Sequence, residues 1–187
     1  MILPVYGYGH GVLRKEADDI DPDYPELQQL IANMWETMYH AKGIGLAAPQ
    51  IGKSIRLFLV DTEQSMEDED VGTGIKKVFI NAHKVQESGK EWAFEEGCLS
   101  IPGIRGDVDR PKQIRLKYLD ENFVEHDEVF DGINARVIQH EYDHIDGVLF
   151  TDKLKPIKKR LVQKKLLKVK EGKTTADYPM KWFVRRR

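Results

Sequence analysis

His140 and His144 stand four residues apart in the run HEYDH, with Glu141 directly after the first of them. On a helix that spacing puts both imidazoles on one face, one turn apart, where they can point at a single ion. A carboxylate beside the first ligand can reach a water on that ion and serve as general base. The surrounding residues 133–146 (INARVIQHEYDHID) carry the pattern of such a helix, with Gly147 as its stop. Ile133, Val137, His140, Glu141 and His144 share its inward side, where an unpaired charge is costly.

Two imidazoles are an incomplete ligand set, because a catalytic metal site takes three protein donors and keeps one position open. Downstream the candidates are Asp152, Glu171 and Asp177, and no histidine follows His144. Glu171 lies among lysines, a poor setting for an inward ligand. Upstream stands Cys98, the only cysteine, in the run Glu96-Gly97-Cys98-Leu99-Ser100. A lone cysteine forms no internal disulfide, so it is either a buried hydrophobe or a thiolate put to use. Glycine before it lets backbone approach closely, and a thiolate is a strong soft ligand. A third segment, GIGLAAPQ (43–50), offers small residues for a loop packed beside a site, with Gln50 as an amide donor. It lacks the GxGxxG and GK[ST] patterns, which excludes phosphate binding of those kinds.

These residues need elements to hold them. Residues 24–42 read as a helix whose stripe is Leu27, Leu30, Ile31, Met34 and Met38, with Pro25 in the first turn, Glu26 near the positive helix end and Gly43 as the stop. Residues 55–61 (IRLFLVD) read as a buried strand and 77–85 (KVFINAHKV) as a second one. The acidic stretch 63–74 reads as an exposed loop. Residues 114–130 alternate apolar and polar on either side of Asp120-Glu121-Asn122, a hairpin. A basic helix is predicted over 155–171, with Leu154, Ile157, Leu161, Leu166 and Val169 among its apolar positions. Strands clustered between helices imply an α+β domain of mainly antiparallel sheet.

At 187 residues, 41% hydrophobic and 32% charged, the chain fits one domain with a sizeable core. No apolar run is long enough to span a membrane and the start has no signal-peptide pattern, so a cytoplasmic chain is expected. The net charge of −2 hides a split: residues 1–150 carry 15 basic and 28 acidic side chains, residues 151–187 carry 14 and 3. A basic end of that kind expects an anionic partner or the acidic body itself.

Taken together, GIGLAAPQ (43–50), EGCLS (96–100) and HEYDH (140–144) resemble, in order and spacing, the three motifs of the peptide deformylases. The resemblance runs from about residue 2 to 170. It implies removal of the formyl group from the N-terminal formyl-methionine of newly made polypeptides, with release of formate. It implies an α+β fold, mainly antiparallel sheets packed around a central metal-binding helix, with a single catalytic domain over 1–170 and a basic tail over 171–187. Carried over position by position, it makes Cys98, His140 and His144 the ligands of one divalent ion, ferrous iron by family behaviour, with zinc or nickel able to replace it. Glu141 would take a proton from the metal-bound water, and Gln50 and the Leu99 N–H would hold the oxyanion.

The same resemblance implies that backbone at Ile44 and Gly97, with Gly45 beside it, pairs with the peptide like an added strand. Ile44, Phe94, Ile133 and Val137 would line the methionine pocket, with Arg136 where many relatives have an apolar residue. Glu96 is expected to brace the site by pairing with Arg110. The basic end is expected to hold the enzyme near ribosomal RNA and the nascent chain, with no DNA or membrane partner. Two rivals remain at this point: a metallopeptidase cleaving internal bonds, and a ribosome-binding module with a structural metal. The cysteine of EGCLS stands against the first, and a closed site would need a fourth protein ligand, which stands against the second.

Overall fold

The computed structural model describes residues 1–65 and 73–183. Its strands are β1 (Val5–Tyr6), β2 (Gly45–Ala47), β3 (Leu57–Asp61), β4 (Lys76–Cys98), β5 (Ile101–Leu119), β6 (Glu125–Asp131) and β7 (Met180–Lys181). Its helices are α1 (Leu27–His40), α2 (Gly132–Ile145) and α3 (Pro156–Lys170). Strands β2 to β6 form one antiparallel sheet in chain order, and β1 pairs with β7 in parallel.

All of β3 is buried because helices cover both faces of its sheet. Alternate side chains of a strand point to opposite faces. Phe58 and Val60 pack with Ile138, Tyr142 and Ile145 of α2. Leu57 and Leu59 pack with Leu27, Ile31, Met34 and Met38 of α1. This is why LFLVD reads as a continuous apolar run and not as an alternating one. Phe58 and Phe79 stack across β3 and β4 with ring centroids 4.7 Å apart.

The predicted strand at 77–85 and the segment 91–98 are one long strand, β4, paired with β5 along nearly its whole length. Register shifts at Ile80/His83, Lys84/Gln86 and Ser88/Glu91 bend the ribbon. Its first part therefore covers α2, while its second part meets a third core under α3. That core contains Ile101, Ile104, Val108, Phe150, Val162 and Val169.

Several expectations are corrected. Helix α1 starts at Leu27: Glu26, with a left-handed φ of 54°, is the residue at its positive end as expected, while Pro25 lies before the first turn. At its other end Lys42, not Gly43, is left-handed, with φ 57°. Gly43 answers a different need, since a Cβ there would stand 3.0 Å from Leu99 Cδ1. Along α3 the inward stripe is Val162, Leu166 and Val169, at helical spacing, so Ile157 and Leu161 fall off it and are 76% and 71% exposed.

The expected tail at 171–187 does not leave the body at 170. Met180 and Lys181 pair with Val5 and Tyr6, and Trp182 joins the third core. Parts of the acidic stretch 63–74 and of the tail lie outside the described residues; Glu63–Ser65 form a short 3-10 turn. No helix among the described residues is long and apolar enough to cross a membrane.

Candidate metal centre and active site

Three elements converge at one end of α2. The helix brings His140 and His144, the end of β4 brings Cys98, and the 3-10 turn Ala48–Ile51 after β2 brings Gln50. One donor atom from each of Cys98, His140 and His144 lies within 4.8 Å of the others, the only such triad among the described residues. Cys98 Sγ stands 3.3 Å from His144 Nε2. Of the other candidate donors, Asp152 pairs with Arg14 and Glu171 with Lys173. Asp177 lies on the wall of the adjoining cavity and is outside the triad.

One of the two imidazoles is held from behind, while His144 Nδ1 has no hydrogen-bond partner. His140 Nδ1 lies 2.9 Å from Glu96 Oε2, which leaves Nε2 to face the thiol. Glu96 in turn accepts from Arg110 Nε at 2.6 Å, Arg110 Nη2 at 3.0 Å and Arg136 Nη1 at 3.1 Å. Arg110 continues to Asp143 Oδ2 at 2.7 Å. Burial alone would raise the Glu96 pKa, but the bonds from His140 and Arg110 outweigh it and hold the carboxyl well below its ordinary range. The expected Glu96–Arg110 pair is thus one edge of a buried network that also includes Asp143 and Arg136.

The two histidines are driven apart. Burial opposes charge on both, yet Cys98 and Glu96 push His140 up, while burial and the His140 charge push His144 well down. The corner beside the thiol therefore holds one imidazole that favours its charged form and one that favours its neutral form. Glu141, buried beside this corner, has its carboxyl pushed up to about 7, chiefly by burial. Its Oε2 has no protein partner. The carboxyl fits only because residue 45 is glycine: a Cβ there would stand 2.8 Å from the carboxyl carbon of Glu141. A cysteine sulfur, two imidazoles and an unpartnered buried carboxyl group fit one divalent ion with water beside it.

Gln50, 2% exposed, is oriented by Ala47, whose N–H donates to Oε1 at 2.9 Å. Its NH2 is thereby aimed at the site, 3.5 Å from Cys98 Sγ and 3.3 Å from Ser100 Oγ. A cavity of about 650 Å³ opens beside these groups. Ile44, Gly45, Phe94, Gly97, Leu99, Arg136 and Val137 line it.

Ile133 does not line this cavity. It faces a separate one with Trp92 and Asp131, a turn away along α2 from Val137. Arg136 is buried, donating to Val108 O and Trp92 O as well as to Glu96. Sequence reasoning missed Asp143, Ser100 and the wall formed by Thr175–Tyr178. The last had one signal, the aromatic residues Tyr178 and Trp182 in an otherwise basic end.

An HExxH helix with a thiolate as third donor, a buried carboxylate and an adjoining cleft defines the class of mononuclear metal hydrolases. The polypeptide deformylase family profile matches residues 2–160. The chain is 57% identical to the peptide deformylase of Flavobacterium johnsoniae, over 97% of this chain and 96% of that one. It is 52% identical to that of Flavobacterium psychrophilum over the whole of both. The crystal structure of a peptide deformylase from Legionella pneumophila superposes with a TM-score of 0.78 at 37% identity, covering 92% of this chain and 98% of that one. The chain belongs to the polypeptide deformylase family.

Proposed function

We propose that this chain removes the formyl group from the N-terminal formyl-methionine of newly made polypeptides, with Cys98, His140 and His144 holding one divalent ion. The observation that carries this reading is the meeting of those three donors within 4.8 Å at the mouth of a cleft, beside Glu141 and the Gln50 amide. When bound, the ion supplies a Lewis acid that makes water nucleophilic at neutral pH. Ferrous iron is the ion proposed, with zinc or nickel as substitutes. A thiolate–imidazole donor set accepts each of them.

Glu141 takes the proton of the attacking water and returns it to the leaving amine nitrogen. Its raised pKa suits both transfers near neutral pH. The Gln50 NH2 and the Leu99 N–H donate to the oxyanion that develops on the formyl group. The new C–O bond and the broken C–N bond leave formate and a free α-amine.

Backbone at Ile44, Gly45 and Gly97 pairs with the peptide main chain, so residues beyond the first are read loosely. Ile44, Phe94 and Val137 receive the methionine side chain, and Arg136 closes the pocket from beneath through its bonds to Glu96 and Trp92 O. The catalytic unit is a single domain over 1–170, completed by the returning C-terminal segment, and it works in the cytoplasm. Along α3, lysines beside the exposed Ile157 and Leu161 form a surface for the ribosome.

The test is formate release from a formyl-Met peptide by anaerobically prepared, iron-loaded protein, beside its Glu141→Ala variant. Release by the wild type, lost in a variant that still holds metal, is the expected result. No release from correctly loaded wild type overturns the assignment.

A further inference from the structure

The turn after Cys98 is held from outside. Cys98 pairs with Ile101, so Leu99 and Ser100 alone connect β4 to β5. Two-residue hairpin connections favour residues with positive φ, and neither Leu99 nor Ser100 adopts it. Outside bonds fix the turn instead. Tyr8 N–H donates to Ser100 O at 2.8 Å, Gln50 Nε2 lies 3.3 Å from Ser100 Oγ, and the Tyr178 hydroxyl donates to Leu99 O at 2.8 Å.

Tyr178 is brought there by the returning C-terminal segment. That segment is clamped immediately after it. Val5 N–H donates to Pro179 O at 2.9 Å, Gly7 N–H donates to Lys181 O at 3.0 Å, and Lys181 Nζ donates to the Tyr6 hydroxyl at 2.8 Å. Gly7 leaves room for the Trp182 ring, which a Cβ there would approach to 3.2 Å. Upstream, Lys173 N–H closes the end of α3 on Lys168 O at 2.8 Å. Between the two clamps, Thr175–Tyr178 run along the wall of the active-site cavity.

We propose that Tyr178 is a positioning residue for deformylation: its hydroxyl, through the Leu99 carbonyl, orients the turn that carries the Leu99 N–H and the Cys98 thiolate, so the C-terminal segment is part of the active site. Two peptide planes in succession, Leu99–Ser100 and Ser100–Ile101, are each tied by one carbonyl bond, from Tyr178 and from Tyr8. Releasing the first lets the Cys98 and Leu99 torsions together turn the donor N–H away from the developing oxyanion, while the cleft that binds the peptide stays in place. The cost therefore falls on kcat and not on KM. This role rests on the deformylase reading given above.

Tyr178→Phe removes one oxygen and keeps the ring. With a formyl-Met peptide, kcat is expected to fall about tenfold, the scale of outer positioning partners, with KM changed less than about twofold. In zinc-loaded protein the Ser100 amide nitrogen, which shares a peptide group with the Leu99 carbonyl, is expected to shift in the NMR spectrum. Incorporating 4-aminophenylalanine at 178 restores a donor and should restore kcat, whereas 4-methoxyphenylalanine should not. Wild-type kcat in Tyr178→Phe, an unmoved Ser100 resonance, or a loss that 4-aminophenylalanine fails to restore overturns the positioning role alone. Wild-type protein that releases no formate overturns the deformylase reading, while the Ser100 shift still reports whether the bond orients the turn.

Discussion

Glu96 Oε2 and His140 Nδ1 stand 2.9 Å apart, and the same carboxylate receives three further bonds from Arg110 and Arg136. One buried side chain thus orients a histidine of the candidate metal triad and pairs with two buried guanidinium groups. Replacing Glu96 with alanine removes the carboxylate that pairs with Arg136 and one of the two that pair with Arg110, a change that destabilises by about 3–5 kcal/mol. Metal affinity should fall about 10- to 100-fold, as when such outer partners are lost. Urea unfolding and a metal-competition titration read the two effects separately.

The same carboxylate sets an acid limit. Its folded pKa lies well below the ordinary 4.5. The stabilisation it provides is therefore complete above the unfolded value and is lost as pH falls through the folded one. The urea midpoint of the wild type should decline below about pH 4.5. The gap between wild type and Glu96→Gln, wide at neutral pH, should narrow over the same interval. A constant gap down to pH 3 would contradict this.

Gly45 and Glu141 are matched in volume. In Gly45→Ala the added methyl meets the buried Glu141 carboxyl group and must displace it. Overpacking of this kind costs about 1–3 kcal/mol. Displacement of the general base should lower kcat by about a hundredfold, with the melting temperature reduced by only a few degrees. Steady-state kinetics beside a thermal melt decides it.

Gln50 presents its NH2 to the site because Ala47 N–H holds the other end. Gln50→Glu keeps the shape and the Ala47 bond but turns the donor into an acceptor. It should lose about a hundred- to thousandfold in kcat, the scale for one oxyanion donor, with KM little changed. An equal fall in substrate affinity would show that the amide acts on ground-state binding.

Ile157 and Leu161 are apolar side chains with no core to enter. Ile157→Ser and Leu161→Ser should alter stability by less than about 0.5 kcal/mol. If α3 is the ribosome surface proposed, co-sedimentation with ribosomes should fall in the double variant and weaken as salt rises.

Where the physics is local, the residues alone were sufficient. HEYDH places its two histidines by helical geometry, and the helix ends at Gly147, whose φ of 71° requires glycine. Alternation around Asp120-Glu121-Asn122 marked the hairpin of β5 and β6. The stripe Leu27, Ile31, Met34, Met38 marked α1. The motif GIGLAAPQ pointed to Gln50, and the one cysteine stood in a run that the family motif made legible.

Tertiary structure decided what depends on residues distant in the chain. Arg110 and Asp143 meet 33 positions apart, and Leu99 and Tyr178 meet 79 apart. No periodicity encodes such pairs; they form only when β5 crosses behind α2 and the C-terminal segment returns to pair with β1. Ile133 and Val137 share a side of α2 in sequence, yet they line different cavities, one beside Lys90–Trp92 of β4 and the other beside Phe94–Cys98. Ile157 and Leu161 read as core because an isolated helix does not show which of its apolar residues will meet a partner, and the position of β5 selected Val162, Leu166 and Val169. Local residue types determined which groups could do the chemistry; the long-range pairing of strands determined which of them face one another.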